Sequence, residues 1–225
     1  MEPVTRRLVD LSHPIEPGMT TYPGLPGPVI SDFLSREASR GKYAPGTTFS
    51  IARIDMVANT GTYVDAPFHR FAEGADVGGL PLERLADLEG IIVAKGPGRA
   101  FDADLFEGRE LEGRAVLLRS GWNARWRTPA YAENSPYVTR RAAEVLVSVG
   151  AALVGIDSVN IDDMEDGARP AHTLLLAAGI PVVEHLNNLE AGPDAGFRFH
   201  CVPAPFHGVG TFPVRAYAVV GGGAS

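Results

Sequence analysis

Between positions 59 and 69 the chain reads Asn59-Thr60-Gly61-Thr62-Tyr63-Val64-Asp65-Ala66-Pro67-Phe68-His69. In an extended backbone alternate side chains point to one side. Asn59, Tyr63, Asp65 and His69 would then offer an amide, a phenol, a carboxylate and an imidazole to the same space. That set suits metal ligation or acid–base chemistry. Gly61 permits a close backbone approach, and Pro67 should end the strand around Ala66. The plainer alternative is an edge strand with a solvated polar face, a common arrangement in antiparallel sheets. Against it, Ile51 to Ala58 reads as core strand and Ala66-Pro67-Phe68 is apolar. A polar row beside a core needs partners or a ligand.

A second dense stretch spans Ala171 to Leu189. His172 falls in the first turn of a short helix, where the positive end of the helix dipole disfavours imidazolium and favours a neutral ring able to bind metal. Glu184 follows Ile180, Val182 and Val183. A carboxylate at the end of such a run wants a cation or donors. The alternatives are a helix-start histidine bonded to a carbonyl, and a glutamate paired with an arginine.

The elements that must carry these groups read as an α/β domain. Apolar runs bounded by Gly or charged clusters predict strands at about 50–57, 90–95, 115–119, 151–156, 180–184 and 214–220. Ala142, Val145, Leu146 and Val149 repeat at helical spacing ahead of Gly150, which predicts a helix over 139–149. Pro170 suits a first helical position, and a second helix runs over 170–178, before Gly179. The expected architecture is one domain with a mixed β-sheet and packed helices. Residues 10 to 50, rich in Pro and Gly, read as irregular, and residues 221 to 225 as a frayed tail.

Composition narrows the function classes. The 225 residues are 45% hydrophobic, enough for a substantial core, and the formal charge of −7 argues against nucleic acid or an anionic membrane as partner. The single cysteine, Cys201, excludes an intrachain disulfide framework and a multi-cysteine zinc site, and reads as a small buried residue. The N-terminus lacks a signal-peptide core and no run approaches membrane-spanning length, so the cytoplasm is the expected location.

Together the two polar stretches resemble the cyclase family that includes bacterial kynurenine formamidases and isatin hydrolases. The family pattern H-x-G-T-H-x-D-A-P-x-H is matched at Gly61, Thr62, Asp65, Ala66, Pro67 and His69. Its downstream pattern H-x-x-L-L-x-x-G-I-x-I-x-E-N-L is matched at His172, Leu175, Gly179, Ile180, Glu184 and Leu186. Val9 to Ile15, Leu118 to Trp122 with Trp126, Val154 to Ser158 and Pro213 to Ala216 extend the likeness in order along nearly the whole chain. The resemblance implies a swivelling β/β/α-like fold over 1–225, with an N-terminal arm over about 1–48 packing on a neighbouring subunit of a homodimer or homotetramer.

It also implies roles. Asp65, His172 and Glu184 keep metal-ligand character, and His69 keeps the acid–base position. Tyr22, Phe68 and Trp122 are the implied substrate-binding residues, with Tyr43 and Phe206 also on the expected rim; they would accept a planar aromatic ring. Asn59 and Tyr63 stand where the family has metal-binding histidines, and neither an amide nor a neutral phenol replaces imidazole well on zinc. His185 and His207 are candidate replacements, although most such histidines serve elsewhere.

Three readings follow. The first is a hydrolase of a small amide, formamide or lactam with one Zn or Mn per chain on Asp65, His172 and Glu184. The second is a metal-free enzyme using Tyr63, Asn59 and His69 for acid–base hydrolysis, cyclisation or elimination. The third is a non-catalytic binding relative.

Overall fold

The structure is a computed structural model and describes residues 6–221. The strands are β1 Arg7–Asp10, β2 Val29–Leu34, β3 Ile51–Asp55, β4 Tyr63–Asp65, β5 Leu88–Ala94, β6 Ala100–Phe101, β7 Ala115–Arg119, β8 Tyr137–Val138, β9 Leu153–Ile156, β10 Val182–Glu184, β11 Ala195–His200, β12 Thr211–Pro213 and β13 Tyr217–Val220. The helices are α1 Arg140–Ser148 and α2 Pro170–Ala177.

Nine strands form one sheet in the order β1-β13-β11-β5-β7-β9-β10-β4-β12. Its centre, β5-β7-β9-β10, is parallel. Both flanks are antiparallel. This is the mixed sheet of a single α/β domain. Central strands are covered on both faces, which is why Ala115-Val116-Leu117-Leu118 and Leu153-Val154-Gly155-Ile156 are continuous apolar runs, all buried. One face packs Val64, Leu117, Val183, Phe197, Phe199 and Cys201 into a core. The other packs Val116, Leu118, Val154, Ile156 and Val182 against Ala142 and Leu146 of α1 and Leu175 and Leu176 of α2.

Both helices start and stop for local reasons. Thr139 caps α1 by accepting from the Ala142 amide, and Gly150 leaves the helix with φ +71°. Pro170 opens α2, yet the preceding Arg169 makes no side-chain cap. Asp162 caps it instead, accepting from the amides of Ala171 at 2.6 Å and His172 at 3.1 Å.

Three of the later strands are shorter than the apolar runs suggested, Leu153–Ile156 within 151–156, Val182–Glu184 within 180–184 and Tyr217–Val220 within 214–220, whereas β7 has the expected bounds and β5 starts ahead of the expected 90–95. Two expectations are overturned. Residues 10 to 50 are not wholly irregular, since β2 lies there and pairs antiparallel with β3. Ile51–Asp55 is not a core strand either. Every residue of β3 is exposed, because the β2–β3 ribbon stands apart from the main sheet. Within the stretch 1–48, β1 is the outer strand of the main sheet. Cys201 is fully buried, and burial raises its thiol pKa. Residues 222–225 of the expected tail and residues 1–5 lie outside the described residues.

Candidate active site

The site is built on the pairing of β4 with β10. Their register sets Glu184 opposite Tyr63 and Val182 opposite Asp65. Val64 and Val183 point into one core, so Tyr63, Asp65 and Glu184 face the other side, where α2 brings His172. Two glycines make the approach possible. Gly61 turns with φ +69°, and a Cβ there would meet the Ile15 side chain at 2.9 Å; a Cβ at Gly210 would meet the His69 backbone at 2.6 Å. Only a short stretch around Tyr63–Asp65 is extended. Pro67–His69 is a 3-10 turn that swings His69 back beside Asp65.

Asp65 is fully buried, and neither of its oxygens has a hydrogen-bond partner. His172 Nε2 lies 3.5 Å from Asp65 Oδ2 and 3.5 Å from Glu184 Oε1. His172 Nδ1 is held at 2.7 Å by Asp162 Oδ2. A carboxylate on Nδ1 is the usual support for a histidine whose Nε2 binds metal. His69 Nε2 is 4.0 Å from Asp65 Oδ1. Ligand atoms of Asp65, His69 and His172 all fall within 4.8 Å of one another. Glu184 is already engaged at both oxygens. Oε1 accepts from the Ile161 amide at 2.7 Å and Oε2 from the Tyr63 hydroxyl at 2.6 Å. Asn59 accepts from Thr211 Oγ1 at 3.0 Å.

The electrostatics follow from burial. Burial and the Asp65 charge push Glu184 up to about 7, against the opposing pull of His172, Tyr63 and the Ile161 amide. Burial, then the charges of Glu184 and Asp65, raise Tyr63 well above its ordinary value, so it is a neutral donor. Burial pulls His172 down, but the hydrogen bond to Asp162 and the neighbouring Asp65 and Glu184 carboxylates outweigh it and hold the ring up at about 10. The helix-dipole expectation of a neutral His172 is therefore overridden by three carboxylates when no cation is present. A divalent cation would take the place of that proton. The orphaned Asp65 oxygens and the free side of His172 fit such an ion. The two 3.5 Å separations are close to the spacing of neighbouring ligands on a tetrahedral ion with bonds of about 2.0–2.1 Å, roughly 3.3 Å.

A cavity of about 320 Å³ opens over these groups, lined by Tyr22, Leu25, Asn59, Tyr63, His69, Arg70, Asn160, Arg169, His172 and Glu184. Of the aromatic residues expected around the substrate, Tyr22 lines it and Phe68 and Trp122 do not. The Trp122 indole donates to the Tyr131 carbonyl at 2.7 Å, and Arg125 lies over its ring. Neither spare histidine enters the cluster. His207 is exposed beside Asp76. His185 is buried behind Tyr63, with Nδ1 2.9 Å from the Tyr131 hydroxyl. The sequence reading missed Asp162, Arg70 and Arg169. Arg70 and Arg169 adjoin His69 and Pro170, which was their one signal; Asp162 sits in the acidic run Asp162-Asp163-Met164-Glu165-Asp166 with nothing to single it out.

Comparison with known proteins agrees with this architecture. The cyclase family model matches residues 9–163. A kynurenine formamidase of Bacillus cereus is 27% identical over 221 residues, covering 94% of this chain and 97% of that protein. Isatin hydrolase A from Labrenzia aggregata, solved with benzyl benzoate, superposes with a TM-score of 0.80 at 23% identity, over 96% of this chain and 94% of that one. A protein described as a potential metal-dependent hydrolase with cyclase activity gives a TM-score of 0.78 at 23% identity, over 96% and 98% of the two chains. With the family model spanning β1 through β9 and the signature segment seated at the pocket floor, this chain belongs to the cyclase family.

Proposed function

We propose that this chain hydrolyses the C–N bond of a small non-peptide amide, a formamide or a lactam, with the help of one divalent metal, Zn or Mn. The observation that carries the reading is the Asp65 carboxylate, fully buried with both oxygens unpartnered and facing the Nε2 side of His172. An ionised carboxylate so placed is costly without a cation. The names of the relatives, kynurenine formamidase and isatin hydrolase, supply the bond class.

Asp65, His172 and Glu184 would hold the ion. It would supply Lewis-acid polarisation of the amide carbonyl and acidify water. Asp162 holds His172 by Nδ1, and the Ile161 amide and Tyr63 hydroxyl hold Glu184 in place. His69, partly exposed at the pocket and 4.0 Å from Asp65, is placed to carry a proton between water and the leaving nitrogen. Leu25 and Tyr22 offer an apolar wall to the rest of the substrate.

One observation favours a variant of this ligand set. Both Glu184 oxygens already hold donors, and the ligand atoms of Asp65, His69 and His172 cluster within 4.8 Å, which would put His69 on the metal in place of Glu184. Metal content by elemental mass spectrometry, with formanilide turnover, tests the whole scheme. About one Zn or Mn per chain is expected, lost in Asp65→Asn together with activity. Metal far below one per chain after incubation with Zn²⁺ or Mn²⁺ overturns it. His69→Gln separates the ligand sets: full metal with turnover reduced by about 10²-fold or more marks a proton carrier, whereas lost metal marks a ligand.

A further inference from the structure

Two arginines reach the catalytic pocket without an acidic partner. Arg70 and Arg169 both line it. The ion pairs among the described residues use other arginines, and neither of these two takes part. Each is steadied by one neutral acceptor. Arg70 Nε donates to Thr173 Oγ1 at 3.3 Å, and Arg169 Nη1 donates to the Asp163 backbone carbonyl at 2.9 Å. The Asp163 carboxylate, which could have neutralised Arg169, is instead taken by Arg99 at 2.8 Å. Each guanidinium has five N–H donors, so most of each fork is left for another partner.

The backbone adds an independent sign. Arg169 sits at φ +47°, ψ +59°, in the left-handed region. Glycine or asparagine fits there without strain, and a long side chain seldom does. Strained residues of this kind gather at ligand-binding sites. The two arginines also bracket one element: Arg169 immediately precedes α2, and Arg70 bonds Thr173 in its first turn. They therefore stand on the same side of the pocket as His172.

We propose that Arg70 and Arg169 select an amide substrate that carries a carboxylate. The planar guanidinium fork matches a carboxylate in bidentate fashion. Seating that group against the two arginines would turn the scissile amide toward Asp65 and His69, with the apolar body against Tyr22 and Leu25. The inference rests on the amide-hydrolase reading and adds the substrate's charge.

The test compares 2-formamidobenzoate with its methyl ester, which keeps the ring and the formamide and removes the charge. The holoenzyme is expected to favour the acid by about tenfold or more in kcat/KM, mainly through KM, as charge-assisted hydrogen bonds do. Arg70→Gln and Arg169→Asn should each cut that ratio by about tenfold; asparagine tolerates the backbone angle at 169. Calorimetric titration of benzoate reads the same site without turnover, and its affinity should fall in both variants. Equal kcat/KM for acid and ester overturns the inference, as does a preference or benzoate affinity that survives in both variants. If benzoate binding depends on the arginines but neither compound is hydrolysed, the amide-hydrolase reading fails and the anion site stands. If both compounds are hydrolysed without arginine-dependent preference, the reverse holds.

Discussion

At position 63 a phenol stands where the family resemblance implies imidazole, and the structure shows what the phenol does instead. Its hydroxyl donates to Glu184 Oε2 at 2.6 Å, and burial keeps it protonated. It acts as a donor that holds Glu184, not as a source of lone pairs for the proposed metal. Tyr63→Phe is therefore expected to keep the metal and to lower kcat/KM by less than about tenfold. Glu184→Gln is expected to lower metal occupancy and activity by about 10- to 100-fold or more, as loss of a ligand or its support does. Paired metal analysis and kinetics check the ranking; the reverse order would move the proton chemistry to Tyr63. Asp65, His69, His172 and Glu184 were legible in the sequence because their spacing matches a pattern. Asp162 was not, since its role depends on a contact across ten residues that no periodicity marks. The alternation of Asn59 through His69 was misleading beyond Tyr63–Asp65, because the chain turns at Pro67.

The elements converge behind the site on a buried aromatic cluster. His13, just after β1, stacks on Trp126 at 4.1 Å. His185, just after β10, packs on Tyr63 and Trp126. Burial holds His13 down at about 4, and burial with the His13 charge holds His185 down at about 3. In the unfolded chain both would take up protons near 6.5, their ordinary value. Between there and about 4 the unfolded state binds two more protons than the folded one, so stability falls as pH falls through that window. Glu184, pushed up to about 7 from its ordinary 4.5, and Asp157, raised by burial, work the other way, while His200, lowered by burial, adds to the two buried histidines. The urea midpoint is expected to drop from pH 6.5 to 4.5 and more steeply below it. A flat or rising midpoint would mean that the imidazoles are charged in the folded protein. β7 and both helices could be read from the chain because burial on both faces, or on one helical stripe, writes itself into composition. β4 could not be read as an interior strand. Three residues carry too little pattern, and two of them, Tyr63 and Asp65, are polar for the site's sake.

At the scale of the molecule, the β2–β3 ribbon stands apart from the main sheet with apolar side chains exposed among the described residues. Phe33 is 68% exposed and Val29 and Ile54 are 59% exposed. Exposed apolar ribbons of this kind mark association surfaces, and we propose that this one packs on a neighbouring copy. Sedimentation is expected to give a dimer or tetramer for the unaltered chain and a monomer for the Phe33→Ser, Ile54→Ser double variant; an unaltered chain that is already monomeric, or an unchanged assembly in the variant, would overturn this role for the ribbon. The ribbon was not legible in the sequence because its apolar residues look like core, although the described residues leave them exposed. The main sheet has a different consequence, in time and not in space. β1, made first among the described strands, is hydrogen-bonded to β13, made last, and Leu11 and Ser12 bond the backbone at Val214 and Ala216. A chain emerging from the ribosome thus holds its opening strand without its sheet partner until synthesis has passed position 220, although His13 just after it already has Thr62 and Trp126 to pack against. That outer edge of the sheet is therefore the last part of it to set, however early its own first strand is made.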